Sequence, residues 1–259
     1  MAPRSRVKGG EKGSAPIRRF FLARPPAEGR VELLPGDREH ALRVLRIGAG
    51  DRLIGLDGRG GVWPLAVRRV EGDRLELEPA GEARFEPAPG SEDAPLPWIE
   101  VALSFPKGNR VEEMLDRLTQ LGAAAIAELR SERGGQRSDA LAGARKVRAD
   151  RILREACKQS GRAWLPELLT EPGTEPAERI LLDPSAERSL SEWIRSVPRP
   201  RRISVLVGPE GGFTDPERAS FVAAGAVPLR LGPHVLRLET AAEAAMAVLA
   251  CELSTVRRT

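Results

Sequence analysis

Cysteine is nearly absent. Cys157 and Cys251 stand far apart in a chain of 259 residues, and neither belongs to a metal-ligand spacing. That argues against a disulfide framework and against a zinc site, and it suits a reducing, cytoplasmic setting. Long apolar runs are absent as well. No stretch approaches the roughly 20 apolar residues that a membrane-spanning helix needs, so no membrane partner is expected. The N-terminal run MAPRSRVKGGEKGSAPIRR is basic but lacks an apolar centre, which argues against a secretory leader. A chain of this length buries roughly three quarters of its unfolded surface and needs no covalent staples.

The formal net charge of +4 is unevenly placed. Residues 1–19 carry Arg4, Arg6, Lys8, Lys12, Arg18 and Arg19 against Glu11, a net of +5, so the remaining chain carries −1. A case for nucleic acid must therefore rest on local clusters. One runs from Arg130 to Arg162, with ten Lys or Arg and four Asp or Glu. It reads either as an RNA-binding face or as a solvated, arginine-rich helix.

Residues 1–15 are poor in apolar side chains and are expected to form a mobile basic arm. From 16 to 80 the chain reads as short strands with Gly and Asp at the breaks: RRFFL, RVELL, DRLIGLD, VWPLAVRRV and RLELEP. One helix around REHALRVLRI interrupts them. This is the pattern of a small β-barrel. Residues 81–97, rich in Pro, Gly and acids, read as a linker. From 98 to 256 strands alternate with helices: WIEVALSF, AAIAELRS, RILLDP, ISVLVGP and VPLRLGP are strands, which implies a mostly parallel sheet. Asn109 and Glu112 read as a capping box for a helix that buries Val111, Met114, Leu115, Leu118 and Leu121 and ends at Gly122. A long helix is expected over Ala140–Ser160, with Val147, Ile152, Leu153, Ala156 and Cys157 inward. Thr214 with Glu217, and Thr240 with Glu243, read as two further capping boxes.

Two glycine clusters fall at C-terminal strand ends, where open α/β sheets bind ligands. In LVGPEGGFTDPE neither the P-loop pattern nor the dinucleotide fingerprint is present, and Glu210 would repel a phosphate. The loop is suited to a neutral or cationic ligand, or it is a tight turn with none. RLGPHVLRLETA repeats the design: strand, Gly-Pro, irregular segment, helix.

Together these two loops resemble those of SPOUT-class (α/β-knot) RNA methyltransferases. Within that class the chain resembles the 16S rRNA uridine-N3 methyltransferase family. RRFFL, HALRVLRIGAGD, ALSFPKGNRVEEMLDRLTQLGA, SERG and EACKQSGR extend the likeness over nearly all of residues 17–253. Gln120, Lys158, Leu238 and the stretch GGQRSD depart from the family pattern.

The resemblance implies an α/β trefoil-knot domain, a small N-terminal PUA-like β-barrel, a homodimer, and S-adenosyl-L-methionine (SAM) as cofactor, with no metal. It places Leu182, Gly208, Gly211, Leu231, Gly232, Leu236 and Leu238 around the cofactor. It makes Glu210 and Glu239 candidate bases, or helix-start charges, and Arg237 a group for a phosphate or a uracil carbonyl. RNA contacts are expected from Arg148, Arg151, Lys158 and Arg162 on the basic helix, with Arg18, Arg19 and Lys107. The implied substrate is 16S rRNA of the small ribosomal subunit. The alternatives are a SPOUT enzyme acting on another RNA such as tRNA, a non-catalytic RNA-binding assembly protein, and a nicotinamide or nucleotide enzyme, which the loop sequences disfavour.

Overall fold

The computed structural model describes residues 18–27, 30–105, 110–134 and 143–254. The expected arm over 1–15, Lys107, Asn109 and the first residues of the long helix lie outside them.

The first sheet holds β1 (Arg19–Phe21), β2 (Arg52–Leu56), β3 (Gly61–Glu71), β4 (Arg74–Pro79) and β5 (Arg84–Phe85). The order is β1-β2-β3-β4, and β5 also pairs with β3. β1 and β2 are parallel, whereas the β2–β3, β3–β4 and β3–β5 pairs are antiparallel. A short helix α1 (Pro35–Glu39) runs directly into one π-helical turn, His40–Val44. Phe20, Leu33, Ala41, Ile47, Leu53, Leu65, Val67 and Leu77 form the core beneath. The run RVELL makes isolated bridges instead of a strand, Leu22 to Leu33 and Ala27 to Arg30. Pro25 and Pro26 remove two donors from its partner, and Pro35 starts a helix at once.

The second sheet holds β6 (Trp98–Leu103), β7 (Ala125–Glu128), β8 (Glu167–Leu169), β9 (Glu178–Leu182), β10 (Arg202–Val207) and β11 (Val227–Leu229). Its order is β11-β9-β10-β6-β7-β8, and every pair is parallel. Helices α2 (Arg110–Gln120), α3 (Gly143–Ser160), α4 (Leu190–Ser196) and α6 (Leu238–Leu253) contribute to the larger core, with Met114, Leu153, Trp193 and Met246 among its members. On the opposite face, Phe213 of the loop before α5 (Asp215–Ala223) and Phe221 of that helix pack against Ala102, Leu181 and Leu206. Gly122 has φ +98° just past α2, the glycine stop expected there.

Two local expectations are corrected. Val147 is 71% exposed, because Ala149 and Leu153 carry the inward side of α3. The last helix begins at Leu238 and not at a Thr240 cap. The Arg237 carbonyl accepts the Ala241 N–H at 2.8 Å, so Thr240 is already helical, and Glu243 pairs with Arg117 at 3.2 Å instead. The Asn109–Glu112 box falls partly outside the described residues; Glu112 Oε2 accepts from Arg148 Nη2 at 2.8 Å. The box at Thr214 and Glu217 is formed, and so is an unforeseen one at Ser189 and Glu192 that opens α4.

The two sheets are joined directly. Phe21, Leu56 and Val62 pack on Cys157 and Ala163. The Gly60 N–H donates to the Ala163 carbonyl at 3.2 Å, and the Trp164 indole N–H donates to the Glu86 carbonyl at 3.0 Å. The stretch read as a linker thus pairs with β3 through Arg84–Phe85 and holds the segment after α3. Burial pushes the Cys157 thiol up to about 11, so it stays protonated.

A candidate cofactor cleft and its tethered carboxylates

The cleft opens where β9, β10 and β11 end. Its walls are the segments that leave those strands: Leu182 and Asp183, Gly208 to Glu210, and Leu231 to Leu236. Leu238 and Ala241 of α6 close it from behind. Six of the seven residues expected at a cofactor line it: Leu182, Gly208, Leu231, Gly232, Leu236 and Leu238. Leu238, one of the family departures, is buried in its wall.

Gly211 faces elsewhere. Its carbonyl accepts from Arg133 Nη1 at 2.7 Å. Arg133 belongs to the SERG stretch after β7, folded as a 3₁₀ turn over Glu132–Gly134. The Glu132 N–H also donates to Glu217 Oε1 at 2.8 Å, and Ser131 meets Ser104 at 2.8 Å. SERG is therefore the clasp that fixes the 208–217 loop. Within that loop the Gly212 N–H donates to the Pro209 carbonyl at 2.8 Å, and Gly212 takes φ +68°. The Gly208 hydrogen faces the Phe213 ring, which a Cβ would meet at 3.1 Å.

The lining suits a cationic, partly apolar ligand and not a phosphate. Leucine side chains dominate the walls, and Glu210 sits in the loop. Asp183 also faces the cleft. Its Oδ1 accepts from the Ser185 N–H and hydroxyl, and Oδ2 is paired with Arg218.

Both candidate carboxylates meet one cation. Arg110, the first residue of α2, reaches Glu210 Oε1 at 3.3 Å and Glu239 Oε1 at 3.3 Å. Glu210 is 54% exposed, and Glu239 only 15%. The Glu239 carboxyl is held below the usual carboxylate range, by its own backbone N–H first and then by Arg110, against the opposing effect of burial. It is a weak base. Arg237 is the exposed N-cap of α6 and does not line the cleft. The sequence reading missed Arg110, although a cation at a helix N-terminus, where the dipole disfavours it, was a visible signal.

The expected RNA residues fall into two groups. Arg148 and Arg151 are exposed, Arg148 beside Glu112, whereas Arg18 is partly exposed beside Asp51. Arg19, Lys158 and Arg162 face inward. Arg19 Nη1 donates to the Lys158 carbonyl at 3.2 Å, and Arg162 Nη1 to the Thr119 carbonyl at 3.1 Å. Lys158 lies 2.7 Å from both Asp37 and Glu155, with its side chain 10% exposed. It ties α3 to α1, and that role explains the departure at this position.

A parallel sheet with a ligand cleft at its strand ends, and a clasped Gly-Pro-Glu-Gly-Gly loop, places this molecule among the RNA methyltransferases: the RNA methyltransferase domain family matches residues 92–250. A Synechocystis relative named ribosomal RNA small subunit methyltransferase E is 32% identical over 230 residues, 85% of this chain and 72% of that one. The Neisseria gonorrhoeae ribosomal RNA small subunit methyltransferase E, solved bound to S-adenosyl methionine, matches with a TM-score of 0.76 at 28% identity, covering 91% of this chain and 97% of that one. A Legionella pneumophila protein solved with SAM bound matches with a TM-score of 0.78 at 29% identity, covering 92% and 98%. The chain belongs to the ribosomal RNA small subunit methyltransferase E family of the SPOUT class.

Proposed function

We propose that the protein transfers the methyl group of SAM to N3 of a uridine in the 16S rRNA of the small ribosomal subunit. The observation that carries this is the leucine-lined cleft at the ends of β9–β11, with two carboxylates on one guanidinium beside it. The relatives with bound SAM support the cofactor. When bound, SAM supplies an electrophilic methyl group on a sulfonium cation.

The chain's own residues do the rest. Leu182, Leu231, Leu236 and Leu238 exclude water, and the backbone around Gly208 and Gly232 supplies the close approach that adenine recognition needs. Uracil N3 lies on the pairing edge, so the base is presented unpaired. Glu210, exposed at the cleft mouth, takes the N3 proton. Glu239 remains ionised, and with Glu210 it keeps Arg110 in place to share charge with a uracil carbonyl as the proton leaves. Positioning lowers much of the barrier, and a base adds roughly 10²–10⁴-fold. Arg148 and Arg151, with Arg237 at the cleft side, hold the RNA backbone.

In the same reading the chain over 98–256 is a knotted SPOUT domain, that over 16–80 is a PUA-like RNA-binding barrel, and the enzyme acts as a cytoplasmic homodimer. The test is methyl transfer from labelled SAM to small-subunit particles, to bare rRNA and to tRNA, with nucleoside analysis of the product. N3-methyluridine in rRNA is the expected outcome. Label in tRNA alone, or none in any RNA despite SAM binding, would overturn it.

A further inference from the structure

Among the described residues, Arg46 is the one non-glycine residue with a positive φ, +49°. A side chain there crowds its own backbone, and glycine is the low-strain occupant. The conformation is imposed from below. Arg46 closes the π-helical turn His40–Val44, where the Leu45 N–H donates to the His40 carbonyl at 3.0 Å and the Ile47 N–H to the Ala41 carbonyl at 3.1 Å. Ala41 and Ile47 are both buried in the core of the first sheet, so the turn cannot relax around Arg46.

The Arg46 side chain makes no compensating contact. It is exposed, and among the described residues it has no hydrogen bond and no carboxylate within 4 Å. The nearby acids are engaged elsewhere: Glu39 with Arg43 at 3.0 Å, Asp37 with Lys158 at 2.7 Å, and Asp51 with the Gly48 N–H at 2.9 Å. Just past the turn, Arg18 approaches at 3.7 Å the Asp51 oxygen that accepts from the Gly48 N–H. π-turns often occur at functional sites, and an arginine kept where the fold imposes a backbone that glycine would hold with less strain points to a use outside the fold.

We propose that Arg46 is a phosphate anchor for RNA, held outward by the π-turn. The ligand is the RNA phosphodiester backbone, whose oxygens a guanidinium fork can bind in pairs. Such a contact positions RNA without reading its sequence. The inference rests on the RNA-substrate reading above and adds a docking point on the first sheet's unit, away from the cleft.

The test uses the full chain and three variants: Arg46→Gly, Arg46→Ala and Arg46→Lys. Glycine accepts the left-handed backbone, so Arg46→Gly is expected to keep or raise Tm, by roughly 2–4 °C if the strain is relieved in full. It should weaken binding of bare small-subunit rRNA about 5-fold at 0.1 M salt and lower the slope of log K against log salt by about 0.7–0.9, the loss of one phosphate contact. An unrelated RNA should lose as much. KM for rRNA should rise with kcat at saturation unchanged. Arg46→Ala should show the same RNA defect with a lower Tm than Arg46→Gly, and Arg46→Lys should recover most of the binding.

Unchanged RNA affinity and slope in Arg46→Gly, or a lowered Tm in that variant, would overturn the anchor. If the wild-type chain methylates rRNA and Arg46→Gly matches it in binding, this inference alone falls. If the wild-type chain binds no RNA, both readings fall.

Discussion

Arg110 and Glu239 are 129 residues apart in the chain and 3.3 Å apart in the fold. The same guanidinium reaches Glu210 at 3.3 Å, so one cation joins the loop after β10 to the first turn of α6. Arg110→Met leaves two carboxylates without their shared partner. One oxygen of Glu239 is already buried and unbonded, which raises the cost. The expected outcome is a loss of about 1–3 kcal/mol in stability and at least a tenfold fall in kcat/KM. Arg110→Lys should recover only part of this, because a point charge cannot span both carboxylates. Chemical denaturation and single-turnover methylation check both statements.

The depressed Glu239 carboxyl fixes a pH window. A carboxylate with a folded value below its unfolded one stabilises the fold above the unfolded value, about 4.3, and loses that contribution as pH falls through the folded value. Glu239→Gln should therefore flatten the fall of Tm below about pH 4.3 and leave its slope unchanged between pH 6 and 9. A pH–rate profile of the same shape in this variant would exclude Glu239 as the base. Glu210→Gln should lower kcat and alter the acidic limb, and an unaltered profile at wild-type turnover would remove Glu210.

Lys158 behaves in the opposite sense. Burial works against its charge, but Asp37 and Glu155 outweigh this and hold its ammonium above the usual lysine value. A raised value means stability fully present below the unfolded pKa, about 10.4, and lost as pH rises through the folded value. Lys158→Met should cost about 1–3 kcal/mol at pH 7, since it leaves the half-buried Asp37 with only the Phe21 N–H, and the penalty should shrink in strong alkali. RNA salt dependence should be unchanged, unlike charge reversal of Arg148 and Arg151, which should flatten it. Unfolding curves over pH 7–11 and RNA titrations in salt separate the two roles.

Gly232 and Gly208 differ in a way that separates folding from binding. A Cβ on Gly232 meets nothing within 4 Å, whereas one on Gly208 meets the Phe213 ring at 3.1 Å. If Gly232 abuts the cofactor as proposed, Gly232→Ala should keep the wild-type Tm and weaken SAM binding at least tenfold, because no protein atom lies within 4 Å of the added Cβ. Gly208→Ala should disturb both. Calorimetry with SAM decides, and unchanged affinity in Gly232→Ala would remove that residue from the site.

Much of the second sheet was legible in the sequence. Strand ends, the Gly122 stop and the Thr214 cap are local patterns, each within a few residues. The Thr240 box has an equally good local pattern but does not form, because a start three residues earlier, with Arg237 as N-cap, buries Leu238 against the cleft. Strand β8 is hard to read because one exposed and two partly buried residues at a sheet edge leave little periodicity, whereas the Ser189 box before α4 is plain in the sequence.

The sequence by itself determined the parallel sheet and the placing of both Gly-Pro loops at its ligand edge. Those follow from hydrophobic period and turn chemistry, which act between near neighbours in the chain. Only the tertiary structure decided which charges meet: Arg110 with two carboxylates, Lys158 with Asp37 across 121 residues, Arg133 with the Gly211 carbonyl, and Arg46 with none among the described residues. An ion pair depends on where separate elements come to rest, and local sequence carries no record of that distance.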